Sequence, residues 1–217
     1  MFDGFLRVAA ATPDIRVADC SFNGASAAAL VSEAYEQGVS LLVLPELCLT
    51  GYTCSDLFLQ ESLLDGAGKA LLTLTEATRD KNMVVLAGLP LTVNGVLYNV
   101  AAVLHDGDIL GFVPKSYLPT YSEFYEGRHY HSGADIEADV LFNGRTYPFG
   151  TRLLFRCRQM PAFTLGIEIC EDLWVAQPPS ISHALAGATV IANLSASDET
   201  TGKDIYRRSL EIGRASC

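Results

Sequence analysis

Residues 6–44 read LRVAAATPDIRVADCSFNGASAAALVSEAYEQGVSLLVL, and the architecture turns on them. Two short apolar runs, Leu6 to Thr12 and Leu41 to Leu44, bracket a segment in which Leu30, Val31, Ala34 and Tyr35 recur at helical spacing. That spacing predicts a helix over Phe22 to Gln37, with Ser21 as its cap and Gly38 ending it. A strand, a helix and a second strand in that order form a β-α-β unit, which pairs its strands in parallel around a crossover helix.

Further apolar runs lie outside this unit: Val84 to Leu89, Leu97 to Leu104, Ile109 to Val113, Phe163 to Cys170 and Val190 to Leu194. Leu71, Leu72, Leu74, Thr75 and Thr78 predict a second helix over Lys69 to Asp80. The stretch HDGD at 105–108 supplies the Asp-Gly turn of a hairpin. Crossovers mixed with hairpins predict an α/β protein with mixed sheets rather than a purely parallel one. The Gly- and Tyr-rich stretch from Tyr121 to Gly150 reads as an elaborate surface excursion.

The 217 residues are 49% hydrophobic, enough to bury one real core. With 15 Lys and Arg against 25 Asp and Glu, the formal charge of -10 repels phosphate backbones and anionic lipid alike. Nucleic acid and membrane are therefore not expected as partners, and no apolar run reaches the length of a membrane span. Six scattered cysteines in a chain of this size point to a reducing, cytoplasmic setting rather than a disulfide framework. His129-Tyr130-His131 alternates as metal ligands do, but no ligand set at metal spacing completes it, so no metal site is expected.

Three reactive side chains stand where apolar strands end: Glu46 after LLVLP, Lys115 after ILGFVP, and Cys170 after FTLGIEI. Strand ends are where open sheets present their sites. A cysteine attacking an amide needs a base for its proton and later for water, and a carboxylate serves both steps. The oxyanion that forms is stabilised by an ammonium together with a backbone N–H, here Lys115 and the amide of Glu171. Taken one at a time, a strand-end cysteine packs inertly and a lysine is solvated. What sets these apart is the wording around them: PELCLTGY (45–52), PKSYLPTYSEFYE (114–126) and GIEICEDLW (166–174).

In this order the three segments resemble the nitrilase superfamily of carbon–nitrogen hydrolases, and more closely its glutamine-hydrolysing branch in glutamine-dependent NAD synthetases. The resemblance implies an α-β-β-α sandwich over residues 1–210. It implies a triad of Cys170 as nucleophile, Glu46 as base and Lys115 as electrostatic partner, with Glu123 as a supporting glutamate that orients the lysine. Tyr121, Phe124, Glu171 and Ser197 would line a glutamine pocket, Glu171 meeting the ammonium. Lys203 stands where an arginine would be sought for the carboxylate, and a lysine lacks the bidentate geometry.

No cofactor is implied for the amidase half. ATP and Mg belong to a synthetase domain that accepts the ammonia, and a homo-oligomer is expected of the full-length protein. The wording stops before the strands and helix that would finish the sandwich, so the fold is expected to be truncated at its C-terminus. Residues 211–217, EIGRASC, do not continue the wording and read as a non-native tail. Two other readings stay open, a free-standing hydrolase of another small amide and an inactive fragment or interaction module.

Overall fold

The computed structural model describes residues 4–215. Seven strands form one sheet in the order β1-β2-β3-β4-β5-β7-β6: β1 Val8–Ala10, β2 Leu41–Val43, β3 Val84–Val93, β4 Val96–His105, β5 Asp108–Pro114, β6 Glu137–Phe142 and β7 Arg145–Gly150. Three more, β8 Phe155–Arg156, β9 Thr164–Ile169 and β10 Val190–Leu194, form a second sheet in the order β10-β9-β8. The β1-β2 and β2-β3 pairs are parallel, and β3, β4 and β5 follow as antiparallel hairpins.

Alternation along the strands divides the interior into two cores. Leu41, Leu86, Ala101, Val103 and Val113 face Leu165, Ile167, Ile169, Ala192 and Leu194 between the sheets. The intervening residues Leu42, Val85, Ala87, Val100 and Ala102 face the helices α1 Cys20–Glu36 and α2 Glu61–Ala77. Short α4, Pro179–Leu185, packs on the outside of β9, where a Cβ added at Gly166 would lie 2.8 Å from the His183 ring. The result is the α-β-β-α sandwich with mixed sheets.

Where the structure differs from the sequence reading, local chemistry explains it. Helix α1 starts at Cys20 because Asp19, not Ser21, caps it, its carboxylate accepting from Phe22 N at 3.0 Å. Helix α2 begins eight residues before Lys69, running through Gly66 and Gly68. The first of these lets the helix close on α1, since a Cβ there would stand 3.2 Å from Cys20 Sγ.

Residues 137–150 are no excursion: they form a hairpin around Asn143-Gly144, and β7 joins the edge of β5 in parallel. Two positive φ angles at each of Asn94-Gly95, Asp106-Gly107 and Asn143-Gly144 identify three turns of one kind, of which only the middle one was read from sequence. Residues 203–215 form α5, so 211–215 continue a helix, and the last two residues of the 211–217 stretch lie outside the described part.

Candidate active site

Glu46 follows β2 in a tight turn, with Leu47 at φ 51. The turn sits directly on β3 at Gly88, where a Cβ would fall 2.2 Å from Leu47 N and 2.7 Å from Glu46 C. Only glycine permits this approach, and it is what brings the carboxylate into the site. Lys115 follows β5 and is held in line by its N–H to Asn99 O at 2.9 Å. Cys170 ends β9 and opens a 3₁₀ turn over Cys170–Leu173, taking a φ of 46, in the left-handed region that a non-glycine residue rarely occupies.

The three sequence-derived residues converge. Lys115 Nζ donates to Glu46 Oε1 at 2.6 Å, and both side chains have no solvent exposure. Asn99 Nδ2 donates to the same oxygen at 2.7 Å, and Ala196 N to Glu46 Oε2 at 3.1 Å. The Cys170 thiol lies within hydrogen-bonding reach of the Glu46 carboxylate and accepts from Ser195 Oγ at 3.4 Å.

The glutamate that pairs with Lys115 is Glu126, not the Glu123 expected from the sequence. Lys115 Nζ donates to Glu126 Oε1 at 2.6 Å, and Tyr52 OH donates to that oxygen at 2.7 Å. Glu126 opens the short helix α3, Glu126–His129, which turns its carboxylate inward, whereas Glu123 lies exposed beside Asp198. Both acids belong to the same quoted segment, and spacing alone does not say which one faces inward.

The electrostatics follow from this burial. Burial by itself lowers the Lys115 ammonium, but the Glu46 and Glu126 carboxylates outweigh it and hold the lysine well above its ordinary range. Burial, and then the negative charge of Glu46, push the Cys170 thiol up to about 12, with Lys115 and Ser195 opposing. The sulfur therefore rests as a thiol, and its proton must leave as it attacks. Burial likewise raises Glu126, with Lys115 opposing.

Sequence reasoning also missed Asp172. Its carboxylate accepts from Tyr117 N at 2.8 Å, Ser116 N at 3.1 Å and Ile169 N at 3.0 Å. One acid thus ties the chain after Lys115 to the chain before Cys170, joining strand ends of different sheets. Burial pushes it up to about 7 against the backbone N–H groups that favour its anion. The available signal was an acid two residues after the cysteine, at the end of an apolar strand.

The outer residues are less tightly held. Tyr121 OH donates to Glu171 Oε2 at 2.9 Å, and the Tyr121 and Phe124 rings meet edge to face with centroids 5.8 Å apart. Ser197 lines a pocket of ≈ 280 Å³ with Trp174, Asn193, Ser195 and Arg207. Lys203 is paired with Asp198 and lies 5.4 Å over the Trp174 ring, so its charge is engaged within the chain. Among the described residues no helix is long and apolar enough to cross a membrane.

Residues 7–212 match the carbon–nitrogen hydrolase family. The glutamine-dependent NAD(+) synthetase of Mycobacterium tuberculosis is 46% identical over 207 residues, covering 95% of this chain and 30% of that protein. The synthetase of the same name from Thermotoga maritima is 34% identical over 204 residues, 94% of this chain and 32% of that one. Among solved structures, a glutamine-dependent NAD(+) synthetase from Cytophaga hutchinsonii superposes with a TM-score of 0.85 at 31% identity, over 96% of this chain and 33% of that one. An amidase from Nesterenkonia sp. shares the fold, with a TM-score of 0.70 at 21% identity, and 72% of its length is covered. The chain thus spans about a third of the length of the synthetases it resembles.

Proposed function

The chain belongs to the carbon–nitrogen hydrolase family, and from that premise we propose that it hydrolyses the side-chain amide of glutamine and passes the ammonia to an ATP-dependent synthetase domain that makes NAD from its deamido form. The observation that carries the reading is the buried Lys115 set 2.6 Å from Glu46, with the Cys170 thiol beside that same carboxylate. The relatives' dependence on glutamine supplies the substrate.

In this reaction Glu46 takes the thiol proton as sulfur attacks the amide carbon and the carbonyl electrons move onto oxygen. Lys115 and the N–H of Glu171 face the oxyanion; the latter lies in the first turn of a 3₁₀ helix, where the chain's own ladder offers no acceptor. Protonated Glu46 then gives its proton to the departing nitrogen, leaving a thioester. The same carboxylate removes a proton from water, which adds to the thioester and releases glutamate.

Glu126 keeps the lysine charged and in place throughout. Glu171, half-buried and bonded to Tyr121, is placed to pair with the substrate ammonium. Lys203, already paired with Asp198, is weakly suited to the α-carboxylate. ATP and Mg have no part in this half of the chemistry.

The test is to incubate the chain with a glutamine-like electrophile, locate the adduct by mass spectrometry, and measure glutamate release from glutamine. Labelling at Cys170 with the other cysteines spared supports the reading, and equal labelling of Cys157 and Cys170 sinks it. Turnover of a small aliphatic amide with none of glutamine would replace it by that of a free-standing amidase.

A further inference from the structure

Ser195 has no part in the steps above, yet its hydroxyl rests on the reacting sulfur. Ser195 Oγ donates to Cys170 Sγ at 3.4 Å, and the next residue, Ala196, donates its N–H to Glu46 Oε2 at 3.1 Å. Two consecutive residues thus touch the nucleophile and the base. They directly follow β10, whose Ala192 and Leu194 are fixed in the core between the sheets, so the hydroxyl is carried on a rigid strand end.

The hydrogen-bond inventory gives this contact a direction. Ser195 Oγ is the donor and Cys170 Sγ the acceptor, so the thiol's own proton is left for the Glu46 carboxylate whose charge it feels. The neighbouring cation is already divided, because Lys115 donates to both Glu46 and Glu126 at 2.6 Å. A sulfur developing negative charge beside a cation already shared in this way gains from a donor of its own.

We propose that Ser195 is a catalytic residue whose O–H···S hydrogen bond stabilises the Cys170 sulfur whenever it carries negative charge. The proposal deepens the amide-hydrolysis reading and rests on it for the order of events. During attack the thiol proton passes to Glu46, the C–S bond forms, and the carbonyl pair moves to oxygen. During release, water adds to the thioester and its proton passes to Glu46. The C–S bond then breaks with its electron pair on sulfur, and Ser195 meets that leaving anion before the proton returns from Glu46. A hydrogen bond to a neutral thiol is weak and one to a thiolate is charge-assisted, so the contact favours the charged states over the resting one.

The experiment is the second-order rate of Cys170 alkylation by iodoacetamide against pH, read by mass spectrometry, in the unaltered chain and in Ser195→Ala and Ser195→Thr. Cys157 serves as the internal control, and thermal unfolding checks the fold. The alanine change is expected to slow Cys170 labelling about tenfold at every pH at which the chain stays folded. The threonine change, which keeps the hydroxyl, should stay within about threefold of the unaltered chain on the same reasoning. Equal labelling of the alanine and unaltered chains, or equal losses in the alanine and threonine chains, overturns the proposal.

Should Ser195→Ala unfold, Ser195→Val against Ser195→Thr repeats the comparison between side chains of matched shape, where equal rates overturn the proposal and a faster threonine chain supports it. Because iodoacetamide needs no substrate pocket, the two readings fail separately. A chain that releases no glutamate but keeps the alanine–threonine contrast loses the glutamine reading alone.

Discussion

The inner site and its rim are built on different terms. Glu46, Lys115, Glu126 and Cys170 are all buried, and Lys115 joins the two glutamates by short hydrogen bonds. Tyr121 is 55% exposed, and Lys203 sits on a loop-to-helix junction with one acidic partner. A buried ionic group can be neither moved nor removed cheaply, whereas a solvated one is replaced by water. The inner groups should therefore govern the chemical step and the rim should govern how tightly a substrate sits.

The sharpest way to break that division is at the nucleophile and base. Cys170→Ala should abolish amide hydrolysis. Glu46→Gln, which keeps the shape and loses proton acceptance, should lower turnover by at least about two orders of magnitude. A small loss in glutamate release from the Glu46→Gln chain would remove that residue from the mechanism.

A second contrast sets two neighbouring glutamates against each other. Glu126→Ala leaves the buried lysine one partner short and should destabilise the chain by about 3 kcal/mol in urea unfolding, with activity falling more than tenfold. Glu123→Ala at the exposed position should stay within about 0.5 kcal/mol. Equal effects would mean that the inner and outer acids are not distinguished by burial.

The pH response tests the resting state of the sulfur. Because burial and Glu46 push the thiol from 9.0 up to about 12, Cys170 alkylation should keep rising above about pH 10, where a solvated thiol has levelled off. The raised value has a second consequence with a definite sign. The folded chain holds a proton that the unfolded thiol gives up near 9, so this group's contribution to stability is present below that pH and is lost as pH climbs toward 12. A labelling plateau by about pH 10 would show the sulfur to be less enclosed than its surroundings indicate.

The smallest effects belong to the rim. Tyr121→Phe and Lys203→Ala should each raise KM a few-fold and leave kcat within about twofold, the pattern of a contact made equally in ground and transition states. A fall in kcat of the size seen at Glu46 would erase the division between the two regions.

Much of this was legible in the sequence because its signals are local. The apolar runs that became β2, β3, β4, β5, β9 and β10 are short and bounded, and three reactive residues stand at strand ends in wording that resembles one superfamily. What stayed hidden depends on tertiary contact. Gly66 and Gly68 look like interruptions of a helix until α1 is seen packing on the first and the Phe142 ring on the second. The choice between Glu123 and Glu126 rests on the direction of a four-residue helix, which no periodicity reports. Asp172 and Ser195 matter through partners more than 20 residues away in the chain.

Gly88 extends the active site to a strand that carries no reactive atom. Any side chain there would push into the backbone of the Glu46 turn, so a survey of tolerated substitutions should find position 88 as unforgiving as position 46 itself. Inactivity alone would then suggest a catalytic glycine. Only a readout that separates folding from turnover would reveal that the missing methyl group is a requirement of space, imposed by one turn on the strand beneath it.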